Sequence, residues 1–215
     1  MKKMLGALLS VALLAVVVPR PASAEVTFDL GLKGGVALAS LKWSDLGEPD
    51  NSTSILTPII GGFLTINVNK TFAFQPEIYF LTLGGKWASS GEGLDLKEVE
   101  KIGVVHIPFL AKLRLADREA KKIVPILFAG PAVDVILSAK GKFYVDGALE
   151  DEYDIKEDLK STNFSLVFGG GAEVMLDKLM LVFEARYDMG LTDLHIDVDQ
   201  VYKTKALIFM VGVGF

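Results

Sequence analysis

The chain has 215 residues, no cysteine and a net charge of −5, from 22 lysines and arginines against 27 aspartates and glutamates. The absence of cysteine excludes a disulfide framework, a thiol nucleophile and cysteine-ligated zinc, and the mild charge excess argues against a nucleic-acid partner. The mean hydropathy is +0.41 although 23% of the residues are charged. Soluble domains this charged are usually less apolar, and helical membrane proteins this apolar usually carry fewer charges.

The first 24 residues have the three parts of a secretory signal peptide, namely a basic start, an apolar run and a small-residue cleavage site. Lys2 and Lys3 precede the apolar run Leu5–Val18, and the segment ends in Ala22-Ser23-Ala24. The alternative is a membrane anchor, but this run is shorter than the roughly 20 residues that a helix needs to cross a bilayer. We therefore predict export, cleavage after Ala24, and a single mature domain over residues 25–215.

After Ala24, apolar and polar residues alternate with a period of two, which indicates β-strands. In Leu179–Asp188, one face is apolar or aromatic and the other carries three successive charges at Glu184, Arg186 and Asp188. A strand buried on both faces would not carry such a row of charges. The same division predicts eight strands, at residues 26–41, 55–67, 71–85, 101–115, 123–138, 163–176, 179–190 and 202–215.

Six of these strands carry charged residues on the face opposite the apolar one, and the set as a whole includes both signs. The charged residues are Asp29, Lys33, Glu77, Lys112, Arg114, Asp134, Glu173, Glu184, Arg186 and Asp188. The strand at 55–67 is the weakest prediction, since it has no charge on either face. In the last strand Leu207, Phe209, Val211, Val213 and Phe215 share one face.

The predicted connections alternate between short turns and long polar loops. The short ones are 67–70, 116–122 and 177–178, and the long ones are 44–54, 88–100, 139–162 and 192–201. Short turns on one side, long loops on the other and an even strand count are typical of an outer-membrane barrel. An even strand count also places both chain termini on the short-turn, periplasmic side.

Two exported architectures show this periodicity. In a soluble sandwich or lipocalin-like barrel the apolar face points inward, whereas in a transmembrane barrel it faces lipid and the polar face lines the interior. Apolar faces nearly free of charge over about nine residues, charges of mixed sign and a final aromatic residue favour the membrane barrel.

Lys203 and Lys205 have the apolar parity but precede Leu207 near the outer rim, where a charge costs little. Glycine pairs within the strands fit the coiling of a small closed barrel.

Seven stretches form an ordered set along the chain, at residues 31–36, 74–79, 105–112, 129–131, 168–173, 183–187 and 211–215. Through this set the sequence resembles the PorT-like outer-membrane β-barrel domain family, which is related in architecture to OmpX- and OmpA-type barrels. The resemblance implies an all-β, eight-stranded, antiparallel, up-and-down barrel that is inserted from the periplasm of a Gram-negative-type cell. It also implies that the last strand, through Phe209, Val211, Val213 and Phe215, is the signal read by the barrel-assembly machinery. It implies no activity.

His106 and His195 are the only histidines. A catalytic set would need a nucleophile and an acid within hydrogen-bond reach, for which Ser40, Ser138 and Asp134 are the candidates near His106. Neither histidine lies in a recognisable local motif, and we predict that the chain is not an enzyme.

The segment Asp146–Asp158 holds seven acidic residues. Carboxylates at this density can hold Ca²⁺ or divalent ions that bridge lipopolysaccharide, but the spacing is not that of an EF-hand loop. We predict a solvated acidic loop.

Four aromatic residues, Trp43, Trp87, Tyr187 and Tyr202, lie near the predicted outer rim and are candidates for an aromatic girdle. Only Tyr187 has the lipid-facing parity of its strand.

These observations predict a small, monomeric outer-membrane barrel with a structural or surface-interaction role and no cofactor. Its interior is expected to be filled by the charge network, because eight strands leave room for side chains but not for a wide channel. A narrow ion path and an enzyme acting on lipid or peptide are the alternatives, and a soluble periplasmic barrel that binds an apolar ligand comes third. The expected partners are outer-membrane lipid, lipopolysaccharide and the assembly machinery.

Overall fold

A computed structural model describes residues 26–44, 49–91, 94–196 and 201–215. In these residues, eight antiparallel strands close into a ring, and one three-residue 3₁₀ helix, Lys156–Asp158, is the helical segment. None of the described helices is long and apolar enough to cross a membrane. The predicted signal peptide, residues 1–24, lies outside the described residues.

The strands are numbered in chain order, and eight of the ten described strands form the ring. The ring strands are β1 (Thr27–Ser44), β3 (Ile55–Asn67), β4 (Phe72–Gly91), β5 (Leu94–Arg114), β6 (Ile123–Val145), β8 (Thr162–Leu176), β9 (Leu179–Gly190) and β10 (Val201–Gly214). Each pairs with the next along the chain, and β10 pairs with β1 to close the ring. Two short strands, β2 (Pro49–Asn51) and β7 (Ala148–Asp154), pair outside the ring with β1 and β6.

The pairing is staggered around the ring. A walk across paired residues from Phe28 returns to β1 at Leu38, ten residues beyond its start; the intermediate residues are Ile66, Phe74, Ala111, Ala129, Phe168, Tyr187 and Leu207. Closing eight strands with such a stagger tilts them by about 35–45° from the barrel axis. At this strand number the interior is just wide enough for side chains to fill it.

The apolar face of the strands points outward, as the alternation predicts. Phe28 on β1, Ile60 on β3 and Phe80 on β4 are each more than 60% exposed, whereas their sequence neighbours Asp29 and Tyr79 are buried. Large apolar side chains would not remain exposed on this scale in a water-soluble domain. The fold prediction, an eight-stranded up-and-down barrel with a lipid-facing apolar surface, is confirmed.

The short turns lie where they were predicted, but two of the predicted long loops are largely strand. β4 runs to Gly91 and β5 begins at Leu94, and the two strands pair up to those residues, so most of the predicted loop 88–100 is a projecting hairpin. The predicted acidic loop 146–158 contains β7 and the 3₁₀ helix. The reason is physical: a hairpin that leaves the bilayer is wetted on both faces, so it loses the apolar alternation by which strands are recognised.

Candidate functional site

The ten charged residues singled out in the sequence project into the barrel. Each is at most 9% exposed. They come from six of the eight ring strands, and the barrel closure brings them into three contacting groups. A carboxylate or cation removed from water in this way is stable only if partners and hydrogen bonds compensate its lost hydration.

The central group joins two cations and two carboxylates in a closed arrangement. Lys33 Nζ donates to Glu77 Oε1 at 2.8 Å and to Glu184 Oε1 at 2.7 Å. Arg186 Nη1 donates to Glu77 Oε2 at 2.6 Å, and its Nη2 donates to Glu184 Oε2. All four side chains are fully buried. Each cation therefore bridges both carboxylates, and the group is neutral as a whole. We name it the central charge cluster.

Neutral and aromatic side chains complete the surroundings of the central charge cluster. Gln75 Nε2 donates to Glu77 Oε1 at 2.5 Å. Lys33 Nζ lies 4.5 Å from the centre of the Phe63 ring, and the Arg186 guanidinium lies 5.0 Å from the Phe128 ring. Cations favour the negative face of such rings, most strongly where water is excluded. The rings thus add to the ion pairs in holding both cations in place.

A second group lies closer to the short turns. Glu173 accepts hydrogen bonds from Lys112 Nζ and Arg114 Nε, both at 2.8 Å. Asp29 accepts from Arg118 at 2.8 Å and 3.1 Å and from Asn67 Nδ2 at 2.9 Å. Arg118 belongs to the β5–β6 turn, so a turn residue covers this end of the interior.

A third group lies on the other side of the central charge cluster, toward the long loops. His106 Nδ1 is 2.6 Å from Asp134 Oδ1 and 3.7 Å from Asp188 Oδ2. Asn163 Nδ2 donates to Asp134 Oδ2 at 2.7 Å and to Thr204 Oγ1 at 3.2 Å. The imidazole and both carboxylates are buried.

Beyond this third group the interior is largely apolar, and among the described residues the buried charge there is Glu100, which is not among the ten charged residues that were expected to fill the interior. Ala37, Leu41, Ile102 and Ile208 belong to one buried apolar cluster toward the long loops. Leu194, from the β9–β10 loop, joins this cluster and is 1% exposed. The outer half of the barrel is therefore packed like the core of a soluble protein, because loop side chains fold back over it.

Several residues of these groups were not predicted. Gln75 and Asn163 occupy inward positions on strands, so parity together with a polar side chain would have identified them. Arg118 gave no such signal, because it lies in a turn and strand parity says nothing about where a turn side chain points.

The candidate catalytic residues around His106 are not brought together. Asp134 contacts the imidazole, but Ser40 has the outward parity of β1 and Ser138 is exposed. The register of β5 against β6 shifts between Gly103 and Val104, so that Ser138 leaves the inward parity that it would share with Asp134. His195 lies apart, in the β9–β10 loop, where it packs edge-on against the Tyr202 ring.

One carboxylate of the acidic segment, that of Glu152, is held by ion pairs. Glu152 of β7 accepts from Lys140 Nζ and forms an ion pair with Lys142 Nζ, both at 2.8 Å. Among the described residues, no group of three or more potential ligands could hold a metal ion. The acidic side chains of residues 148–154 are largely exposed, as predicted, but they lie on a hairpin strand and not in a loop.

The Lys140 and Lys142 ammonium groups, through hydrogen bonds and charge, lower the pKa of Glu152 to about 2. A lowered pKa stabilises the folded hairpin above the ordinary glutamate value of 4.5, and this contribution is lost as the pH falls toward 2. We expect the side-chain carboxyl ¹³C NMR shift of Glu152 to titrate with a midpoint near pH 2, and Lys140→Gln/Lys142→Gln to move that midpoint up toward 4.5. Glu150→Gln, on the same strand, is the control and should leave the midpoint unchanged.

The expectation of an aromatic girdle is wrong for Tyr202, which is 4% exposed and donates its hydroxyl to Glu100. Trp87 packs against the apolar cluster of the interior. Tyr187 does face outward and packs on Phe168, with 5.5 Å between ring centres. The side chain of Trp43 lies outside the described residues.

The last strand presents its apolar face to the outside. Phe209 is 45% exposed, Val211 58% and Phe215 67%, and Val213 shares their parity. Reciprocal backbone hydrogen bonds of 3.0 Å between Leu30 and Phe215 extend the closing pair of strands to the final residue.

Comparison with known proteins identifies the family. The family model described as "Outer membrane protein beta-barrel domain" matches residues 22–195, which is more than half of the chain. No curated protein sequence matches the chain at a significant level.

Three solved structures illustrate the similarity. OprG from Pseudomonas aeruginosa is 15% identical with a TM-score of 0.49, over 89% of this chain and 96% of that one. Neisserial surface protein A is 13% identical with a TM-score of 0.44, over 89% and 99% of the two chains. Ail, the attachment invasion locus protein of Yersinia pestis, is 13% identical with a TM-score of 0.37, over 87% and 98%. The family match, together with the closed ring and its apolar outer face, shows that the chain belongs to the outer-membrane β-barrel domain family and resides in the cell outer membrane.

Proposed function

We propose that this protein is a closed outer-membrane barrel with a structural or surface-interaction role and no open pore. The observation that carries the proposal is the central charge cluster, in which Lys33, Glu77, Glu184 and Arg186 meet across the interior with no side-chain exposure. The apolar packing around Leu194 closes the interior a second time on the loop side. An ion would have to break several ion pairs and then cross an apolar layer.

The closed barrel is tested by single-channel recording on protein that passes a heat-modifiability gel. We expect no stepwise conductance in a planar bilayer, whereas a wide porin added to the same bilayer should give resolved steps. Reproducible steps from the purified barrel would contradict the proposal and favour a narrow ion path.

The enzyme alternative has no support among the described residues. We propose that the chain is not an enzyme, because Ser40 and Ser138 face away from His106 and Asp134 is engaged by His106 and Asn163.

Further proposals concern export, oligomeric state and cofactor, assembly, and relatives. We propose that residues 1–24 are cleaved as a signal peptide and that the barrel is a monomer without a cofactor. Phe209, Val211, Val213 and Phe215 are proposed to form the signal read by the assembly machinery. Membership of the PorT-like group within the barrel family is supported by the seven matching stretches of sequence.

The surface role is assigned to the projecting hairpins. β4 and β5 continue as a pair to Gly91 and Leu94, and β6 with β7 forms a second hairpin beside them. The proposed environment of the apolar outer face is outer-membrane lipid and lipopolysaccharide.

A further inference from the structure

Two lysines stand directly opposite each other on the outside of the barrel, at the seam between the first and last strands. Lys42 of β1 is the register partner of Lys203 of β10. Side chains at opposite positions have Cβ atoms about 5 Å apart, and like charges there destabilise a sheet. Neither ammonium group has an ion-pair partner among the described residues. The arrangement is costly unless an anion lies between them.

A second opposed pair shows how the same chain treats such lysines elsewhere. Lys101 of β5 faces Lys140 of β6, and there Glu152 pairs with Lys140 and also with Lys142. At the seam, no described acidic side chain forms an ion pair with Lys42 or Lys203. Asp197 and Asp199 precede β10 in the sequence and lie outside the described residues.

A groove of about 180 Å³ lies beside the seam lysines, on the lipid-facing side. It is lined by Ser40, Ser54 and Lys205 and, toward the membrane, by Leu38 and Leu207. Tyr187 forms one further wall. Hydroxyl and ammonium groups therefore stand above apolar side chains, at the height where the apolar belt ends.

We propose that this seam binds a phosphorylated lipid of the outer leaflet. The phosphate lies between Lys42 and Lys203, Ser40 and Ser54 donate to the headgroup, and an acyl chain follows Leu38 and Leu207. Clusters of lysine at a membrane surface attract anionic headgroups, with each lysine contributing to the affinity. The inference rests on the proposed function, because it requires the long-loop end of the barrel to face outward.

The test uses protein purified from membranes into zwitterionic detergent, with diphosphoryl lipid A as the probe. We expect the double variant Lys42→Gln/Lys203→Gln to bind it about 30-fold more weakly than the unmodified protein. The double variant Lys121→Gln/Lys122→Gln removes the same charge from the short-turn end and should bind as the unmodified protein does. Lipid A without phosphates should bind the unmodified protein as weakly as the seam variant binds the phosphorylated form.

Two other results would overturn the inference. Inorganic phosphate that competes fully at millimolar concentration would show a free-anion site instead of a lipid site. A lower thermal midpoint of the seam variant in the absence of lipid would show that the two lysines are stabilised within the chain, since removal of an uncompensated repulsion should leave the midpoint equal or higher. A heat-modifiability gel checks that both double variants form closed barrels. Channel recording tests the absence of an open pore, so a failure of the proposed function is distinguishable from a failure of lipid binding.

Discussion

Arg186→Ala is expected to lower the free energy of unfolding by about 3–5 kcal/mol, the cost of removing one partner from a buried charged group. Arg186 bridges Glu77 and Glu184 and packs against the rings of Tyr79 and Phe128. Without it, two buried carboxylates share Lys33 alone. The measurement is a urea unfolding curve in detergent, on protein shown to be closed by heat-modifiability.

Three comparisons sharpen this prediction. Arg186→Lys keeps the charge but loses the two-pronged geometry, so its loss should be smaller. Adding Glu77→Gln to Arg186→Ala removes one stranded carboxylate and should restore part of the lost stability. Lys178→Ala, on the exposed β8–β9 turn, should have no measurable effect. An unchanged midpoint for Arg186→Ala would show that the central charge cluster does not stabilise the barrel.

The positions of these buried charges could be predicted because the bilayer imposes a strict rule on each strand. Lipid accepts no charge near the midplane, so every charge within the apolar belt has to take the inward parity. Glu184, Arg186 and Asp188 show this rule in three alternate positions of one strand. Their mutual contacts could not be predicted, because Lys33 and Arg186 meet the same carboxylates only through the stagger of the closed ring.

Outside the apolar belt the rule fails, and so did the sequence-based predictions there. Residues 94–98 and 148–154 are strands that the alternation did not show, because both of their faces are largely exposed to water. Ser138 changes face at the bulge between Gly103 and Val104, which period-two counting cannot detect. Arg118 contacts Asp29 from a turn, and strand parity does not predict where the side chain of a turn residue points.

The apolar outer half of the interior has a different cause. Ala37 and Ile208 already stand on the inward faces of β1 and β10 in the sequence, but an isolated strand does not show what covers them. The cover comes from loop residues such as Leu194 and Leu159, each of which is less than 9% exposed. Loop closure over the barrel is a tertiary event with no local sequence signature.

Gly35→Ala is the second substitution for which we expect a large effect. Gly35 lies on the inward face of β1, opposite Met210 of β10. A Cβ added there would stand 1.9 Å from the Phe209 carbonyl oxygen and 2.8 Å from Met210 Cα, both of them backbone atoms. Because backbone cannot turn aside as a side chain can, the two closing strands would have to separate.

The adjacent Gly34 provides a matched control on the same strand. Its Cβ would face lipid, with the nearest atom, the Ile59 carbonyl oxygen, at 3.7 Å. Overpacking costs about 1–3 kcal/mol where side chains can adjust, so we expect Gly35→Ala to lose about 3 kcal/mol or more and Gly34→Ala to stay near the unmodified value. Both are measured as the fraction of heat-modifiable, closed barrel after refolding and as the urea midpoint of that fraction. Equal values for the two variants would mean that the close approach of the strands at the seam does not limit closure of the barrel. The tight coiling of a small barrel would then not explain the inward glycines.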